Sequence, residues 1–386
     1  MSSASFVVAT PFRTAADSYA RALDSRRLLR RYILGTRRGT PGIRSEVTRL
    51  NPAIGLVAYG AAKTLPVTTA ESVRFALNPW YDGWVLQHLR PGDHLLTSYG
   101  YANRSLTWIG KHGGYRFLDA GNSHPEHFWS VVSEEHKIWK VNQTPIARHQ
   151  HARALKSLEH TDYFFCPSNH VLNSFKERGF PAEKLIRIPY PTDLSRFAPK
   201  PVRPKDQPLR VINTGLLCLR KGTPYLLEAF RLVSREVKNA ELWLTRIVFE
   251  DVNEILRSYS DLNINWAPAL PHHQLAQRMQ AADIFVLPSL EEGMARTSLE
   301  ALASGLPIIV TPSTGSNDFV IHRQNGSIVP IRDPHAIANE ILWWWDRVHD
   351  HEHLQLTIDR AALSVEAFDR ACGEVLSKFG FESPAG

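Results

Sequence analysis

The chain is predicted to be an α/β protein of two doubly wound, parallel-sheet domains, and three observations predict it. Short apolar runs of buried-strand type alternate with helical patterns, as in parallel sheets joined by crossover helices. A length of 386 residues is more than one hydrophobic core supports. A connector carrying Pro199, Pro201, Pro204 and Pro208 divides the chain, because proline fixes φ, removes a backbone donor and suits neither helix interior nor central strand.

The first domain spans residues 1–198. An apolar strand at 6–10 opens its sheet, 94–99 continues it, 114–120 precedes a loop, and 164–168 closes it. Residues 26–34, Arg26-Arg27-Leu28-Leu29-Arg30-Arg31-Tyr32-Ile33-Leu34, read as a basic amphipathic helix. Two uses fit such a helix: leucines in the core with arginines in solvent, or contact with anionic lipid or an anionic acceptor. The second domain, residues 205–360, carries strands at 209–214, 241–246, 263–267, 284–287 and 307–310. Residues 334–348 form a helix presenting a face of Trp343, Trp344 and Trp345, and apolar periodicity returns at 361–379.

Hydrophobic content of 43% and charged content of 22% are those of a globular chain. Cys166, Cys218 and Cys372 are far apart and lack metal spacing, so reduced cytosolic thiols are expected. No apolar run reaches spanning length, and residues 6–9 are too short for a signal peptide. The expected location is the cytoplasm, with peripheral contact at the inner membrane face. Residues 1–50 hold ten arginines, no lysine and three acids, a net +7, while the rest balances at 35 charges of each sign. The basic first domain is therefore the candidate for anionic membrane or an anionic acceptor, and no nucleic-acid partner is expected. His349, His351 and His353 have metal-ligand spacing, but a solvated helix end fits them better.

The most informative window runs from residue 283 to 310. A strand leads to a loop holding Glu292 and Gly293, then to a helix from Arg296 to Ser304 that ends at Gly305, and a second strand follows. In open α/β sheets ligands lie beyond the carboxyl ends of the strands, which is where this loop and helix start fall. A carboxylate accepting two hydrogen bonds suits the vicinal diol of a ribose, and free backbone N–H groups near Met294, Ala295, Arg296 and Thr297 suit a phosphate. The bland alternative makes Glu292 a solvated loop residue and Glu300 an exposed helix residue. Upstream, a strand ending at Gly215 leads through a loop with Arg220, Lys221 and Gly222 to a helix in which Thr223 suits an N-cap and Pro224 the first turn. Two cations beside a helix start would neutralise a diphosphate, although an ordinary basic loop looks the same.

With these residues in view, the chain resembles the retaining GT-B glycosyltransferases of the family 4 type, whose signature is two glutamates spaced as Glu292 and Glu300 are. The likeness extends over Pro288-Ser289, Glu300 to Pro307, Gly215 to Gly222, and residues 162–197, and runs from about Gly121 to Asn339. It implies two Rossmann-like domains facing a cleft, with the terminal helix, residues 361–386, completing the first. It further implies that Glu300 binds the ribose of a nucleotide-sugar donor, that Glu292 and the backbone after it hold the sugar, and that Gly215, Arg220, Lys221 and Gly222 meet the diphosphate. Where the family usually has a large aromatic residue and a glycine, this chain has Met294 and Ala295. Where an arginine often follows the first glycine it has Leu216, whose part Arg220 is expected to take.

In Asp119 to Phe128 the likeness places His124 opposite the donor sugar or its leaving phosphate, with Glu134-Glu135 matching a following acidic pair; a loop histidine bonded to backbone is the structural alternative. The implied reaction retains anomeric configuration, uses no metal or other cofactor, and moves a sugar from a nucleotide-diphosphate sugar to a hydroxyl of a glycan, a lipid-linked sugar or a small molecule. Arg220 and Lys221 would stabilise the leaving group. A non-catalytic nucleotide-sugar or anionic-polymer binder, and a sugar-nucleotide epimerase of related architecture, are the competing readings.

Overall fold

The computed structural model describes residues 5–143, 145–199, 207–245, 247–348, 356 and 358–381, with backbone alone at 145 and 146. The chain divides into two compact units. The first comprises Met1–Trp129, Gln143–Pro191 and Val365–Gly386, the second Ser130–Asn142 and Thr192–Ser364.

The first unit is built on strands β1 (Ser5–Thr10), β2 (Leu29–Leu34), β3 (Thr48–Leu50), β4 (Asp93–Ser98), β5 (Arg116–Asp119), β6 (Tyr163–Cys166) and β7 (Leu185–Arg187). They form one sheet in the order β3-β2-β1-β4-β5-β6-β7 with every pairing parallel. Helices α1 (Ala16–Ser25), α2 (Pro52–Thr64), α3 (Val67–Ala76), α4 (Asn78–Leu86), α5 (Asn103–Lys111), the start of α6 (Pro125–Ile138), α7 (Pro145–Glu159) and α8 (Asn169–Lys176) lie between the strands. Because successive strand residues face opposite sides, the sheet has two cores. On one side Val7, Ala9, Ile33 and Leu95 pack with Ile54, Tyr81, Val85, Leu106 and Ile109. On the other, Tyr19 stacks on Phe165 at 4.8 Å and meets Phe368 of the terminal helix at 4.9 Å. Phe379 and Phe381 close the same side against Tyr163 and Phe6. This aromatic packing fixes the terminal segment on the first sheet.

Two expectations for this unit are corrected. Residues 26–34 are not a helix: α1 stops at Ser25, Arg27 turns at φ 59°, and Leu29–Leu34 is β2, between β1 and β3. Aromatic and β-branched residues favour a pleated, buried strand, and Tyr32, Ile33 and Leu34 are fully buried there. Arg30 is held by Asp93 through paired hydrogen bonds, one of 2.7 Å, so it is not part of a free basic face. Residues 164–168 do not close the sheet either, since β7 lies outside β6. A three-residue edge strand has too few positions to show alternation.

The second unit holds β8 (Arg210–Asn213), β9 (Glu241–Thr245), β10 (Ile264–Ala267), β11 (Ile284–Leu287), β12 (Ile308–Val310) and β13 (Gly326–Ile328), in the order β10-β9-β8-β11-β12-β13, all parallel. Its helices are α9 (Thr223–Glu236), α10 (Asn253–Arg257), α11 (His272–Gln280), α12 (Arg296–Ala303) and α13 (Pro334–Trp345), and α14 (Val365–Lys378) is the terminal helix of the first unit. Leu226, Phe230 and Val233 of α9 join Ile337, Ile341 and Trp344 of α13 and the strands' Val211, Leu242, Ile284 and Ile309 in one core. The three tryptophans of α13 do not share a face, because consecutive helix residues are about 100° apart. Trp344 is buried with its indole N–H on the Ser327 hydroxyl at 2.9 Å, whereas Trp343 lies between Arg323 and Arg347. His349, His351 and His353 lie outside the described residues.

The end of α6 belongs to this unit and carries a fully buried carboxylate, Glu135. It accepts from the Tyr225 hydroxyl (2.7 Å), the Trp139 indole (2.8 Å) and Arg332 (2.8 Å), while Glu134 takes Arg332's other nitrogen at 2.8 Å. The acidic pair therefore braces α6 onto α9. That partly exposed arginine and two aromatic donors satisfy a charge that would otherwise be costly to bury.

Candidate active site

In the second unit β8 and β11 are neighbours, so the loops leaving their carboxyl ends lie side by side, where open parallel sheets receive ligands. The Asn213 amide donates to the Val286 carbonyl at 2.7 Å and ties the two strand ends. Gly222 brings the loops together. It sits at φ 70°, and a Cβ there would lie 2.1 Å from the carbonyl oxygen of Pro288, so both the left-handed backbone and the close approach require glycine. Leu290 N–H donates to the Arg220 carbonyl at 2.9 Å across the same seam. Gly215, at φ 117°, has open space where a side chain would stand. Thr223 is the first residue of α9 rather than its N-cap, a position Gly222 takes. The Thr223 hydroxyl instead closes the loop, accepting from Cys218 N–H and donating to Cys218 O, each at 3.0 Å.

This seam gathers charge. Arg220 donates to the Glu291 carbonyl at 2.7 Å and to the Glu292 carboxylate at 3.1 Å, and Lys221 is ion-paired with the same Glu292 oxygen. Glu291, fully buried, has its carboxylate 3.6 Å from Arg220. Burial alone would push the Glu292 carboxyl up, but the charges and hydrogen bonds of Lys221 and Arg220 outweigh it and hold the group at about 2. Burial works against the Arg220 charge as well, and the two carboxylates more than offset it. Glu292 is therefore no solvated loop residue. The two cations form a fixed, largely dehydrated cluster beside the start of α9.

The β11 loop next enters α12. Glu292 N–H donates to Ser313 O at 2.8 Å and Ala295 N–H to Thr314 O at 3.3 Å, so the loop after β12 takes up one of the donors expected to face a phosphate. This corrects the expectation for the Ala295 N–H, whose partner lies on the far side of α12 and β12 in the chain. Met294 and Ala295 are buried, whereas Arg296 is exposed. Arg296 and Thr297 open α12 with no capping side chain and no acidic residue in the first turn. Among the described residues their N–H groups have no hydrogen-bond acceptor, and the helix dipole adds partial positive charge there.

One turn further in, Glu300 is buried, 7% exposed, and its carboxylate accepts no hydrogen bond from any described residue. Burial raises its pKa, with Asp193 adding to the rise and His272 and Arg296 countering it. A desolvated carboxylate with unused lone pairs is an acceptor available to a ligand. Glu291, Asp193 and His272 are the neighbours that spacing alone did not single out. Only the Glu291-Glu292 doublet carried a signal, two acids beside a predicted cation pair.

His124 belongs to the first unit, at the start of α6, and the Arg220–Glu292 cluster to the second. Its backbone N–H donates to the Ser174 hydroxyl at 2.8 Å, and its Nδ1 accepts from Glu126 N–H at 3.1 Å. The Nε2 must then carry the ring proton. Burial first, then Arg178, His127 and His151, lower its pKa to about 4, so at neutral pH it is an uncharged donor. His127 is lowered as well, chiefly by burial. Among the described residues no group of three or more His, Cys, Asp or Glu side chains is arranged to hold a metal ion, no helix is long and apolar enough to cross a membrane, and the three cysteines are buried and unbridged.

Comparison with known proteins bears on the second unit most directly. Residues 208–347 match the family described as Glycosyl transferases group 1. A putative colanic acid biosynthesis glycosyltransferase of Escherichia coli is 26% identical over 205 residues, covering 50% of this chain and 49% of its own length. The amylovoran biosynthesis glycosyltransferase AmsK of Erwinia amylovora is 28% identical over 175 residues, 42% of each chain. The matched region spans about half the length of these relatives or less. Among solved structures, sucrose-phosphate synthase from Thermosynechococcus elongatus superposes with a TM-score of 0.66 at 17% identity, covering 98% of this chain and 99% of that one. Anabaena HepE in complex with UDP and glucose gives 0.64 at 13% identity, covering 97% and 100%. These likenesses show the fold: two Rossmann-like parallel-sheet domains of the GT-B class.

Proposed function

We propose that this chain is a retaining glycosyltransferase that moves a sugar from a nucleotide-diphosphate sugar to a hydroxyl acceptor in the making of a glycan, polysaccharide or glycolipid. The observation that carries the reading is the buried, unpartnered carboxylate of Glu300 one turn beyond an uncapped helix start. The Arg220–Lys221 cluster on the adjoining loop supports it. In this reading Glu300 accepts both hydroxyls of the ribose, while Arg296 and Thr297 N–H, with the space at Gly215, receive phosphate oxygens. Glu292 turns from Lys221 toward the donor sugar as the diphosphate takes over the cations. The group 1 match and the relatives' roles in polysaccharide synthesis point to the same class of reaction.

Arg220 and Lys221 stabilise the negative charge that develops as the nucleoside diphosphate leaves, a task given in this reading to side chains rather than to a metal. Preorganised donors of this kind contribute roughly 3–4 kcal/mol each when removed singly. The acceptor oxygen attacks from the face that the diphosphate vacates, and a leaving-group oxygen takes its proton. His124, neutral with its proton on Nε2, is assigned to donate to the donor sugar or its phosphate.

The test is nucleotide binding by calorimetry with UDP, GDP, ADP and TDP, on the native chain and on Glu300→Gln. One nucleotide should bind preferentially, and the variant should bind it at least about tenfold more weakly, the scale of a lost charged hydrogen bond. Folding stability should stay level or rise, because a carboxyl whose pKa is raised on folding loses stability as pH rises through its ordinary range. Equal affinity in the two proteins would remove Glu300 from the site.

A further inference from the structure

The first unit contains a cavity of about 840 Å³ that the donor chemistry does not use. Phe12 and Arg13 follow β1, and Arg37 and Arg38 follow β2, so its floor lies past the carboxyl ends of two adjacent strands, the ligand edge of a parallel sheet. Tyr59 of α2 and Arg74 of α3 form its walls. Four arginines and no carboxylate line it. Arg13 is anchored on the Gly39 carbonyl, and Arg74 lies over the Phe12 ring at 4.3 Å while pairing with Glu71 at 2.6 Å. Arg37 and Arg38 are exposed, and neither has an ion-pair partner among the described residues. Four guanidinium groups converging on one hollow favour a phosphate, which they bind through bidentate hydrogen bonds.

The wall beside these arginines is apolar. Over its whole length α2 has one charged residue, Lys63, yet Leu56 is 50%, Val57 46% and Tyr59 60% exposed. Leu56 and Tyr59 are three residues apart and so adjoin on the helix surface, which makes the apolar strip continuous with the cavity wall. An inorganic anion or a free sugar phosphate would use only the arginines, and a neutral lipid only the strip. We propose that this cavity binds the phosphate of an amphiphilic acceptor, a phosphorylated lipid whose chain lies along the exposed face of α2. Only the word acceptor rests on the glycosyl-transfer reading; the binding itself does not.

The experiment titrates the full chain with octyl phosphate, inorganic phosphate and octyl glucoside, each below micelle formation, and in parallel with UDP. Octyl phosphate is expected to bind once per chain and at least tenfold more tightly than either of the others, with an affinity that falls as salt is added. Replacing Arg37→Gln and Arg38→Gln together should weaken it at least tenfold, and Tyr59→Ser should bring it toward inorganic phosphate. All three positions are exposed, so the variants should melt as the native chain does and keep its UDP affinity. Octyl phosphate binding that equals that of inorganic phosphate, or that is unchanged in the double variant, overturns the proposal. Loss of UDP binding by the native chain would instead sink the donor-site reading and leave this one standing.

Discussion

In the proposed reading Glu292 holds two roles, and Glu292→Gln separates them. In the folded chain the group stands at about 2 against an ordinary 4.5, with Arg220 at 3.1 Å and Lys221 in contact. That difference, about 2.5 units at roughly 1.4 kcal/mol each, is on the order of 3 kcal/mol of stability. The variant keeps the shape of the side chain but leaves two half-buried cations facing a neutral amide. At pH 7 it should lose about 3 kcal/mol, roughly 6–12 °C in melting temperature for a domain of this size. Because the folded group is held below its ordinary range, its contribution is complete above that range and fades as pH falls toward 2. The gap between native and variant should therefore narrow by about 2 kcal/mol from pH 7 to pH 3. Nucleotide binding should move the other way. A unit charge pair about 4 Å apart is worth ~4 kcal/mol at an effective dielectric near 20, and in the proposed reading Glu292 competes with a diphosphate for Lys221. The preferred nucleoside diphosphate should thus bind at least about tenfold more tightly to the variant, while sugar transfer falls. Urea denaturation at the two pH values and calorimetry at pH 7 read both effects. A variant as stable as the native chain, or one that binds the diphosphate more weakly, would refute the reasoning.

Two further substitutions probe the frame around this cluster. Gly222→Ala sets a methyl group 2.1 Å from Pro288 O at a backbone φ of 70°; strain and displacement together should cost about 1–3 kcal/mol and lower transfer by moving Lys221, and a melt unchanged within 1 °C would show that the loops are not pressed together. Glu135→Ala strips Tyr225, Trp139 and Arg332 of their shared acceptor and should destabilise by about 3–5 kcal/mol; the measurement is denaturation at neutral pH, where a loss below 1 kcal/mol would deny the brace its role.

The second unit was the more readable half of the chain. Ile284–Leu287 and Ile308–Val310 are buried throughout, and such wholly apolar runs between loop residues leave little choice of structure. The Glu292 and Arg220 loops were each visible from residue types, but their pairing was not, since it joins positions 72 apart in the chain. The Thr314 carbonyl that occupies Ala295 N–H likewise lies outside the motif window, on the loop after β12. In the first unit the double arginines at 26–27 and 30–31 repeat with helical spacing, and that period masked β2. What decided the matter was a partner, Asp93 on β4, which only the folded sheet brings to Arg30. The short edge strands β3 and β7, three residues each, hold too few side chains to reveal a period.

The carbonyl of Pro288 filling the place of a missing side chain on Gly222 has a consequence for engineering. Neither loop is an independent cassette: each is the mould against which the other is cast. A chimera that imports one of them from a relative with a different donor would inherit a mismatched backbone at this junction, so donor preference should transplant only when residues 215–223 and 288–297 travel as a pair.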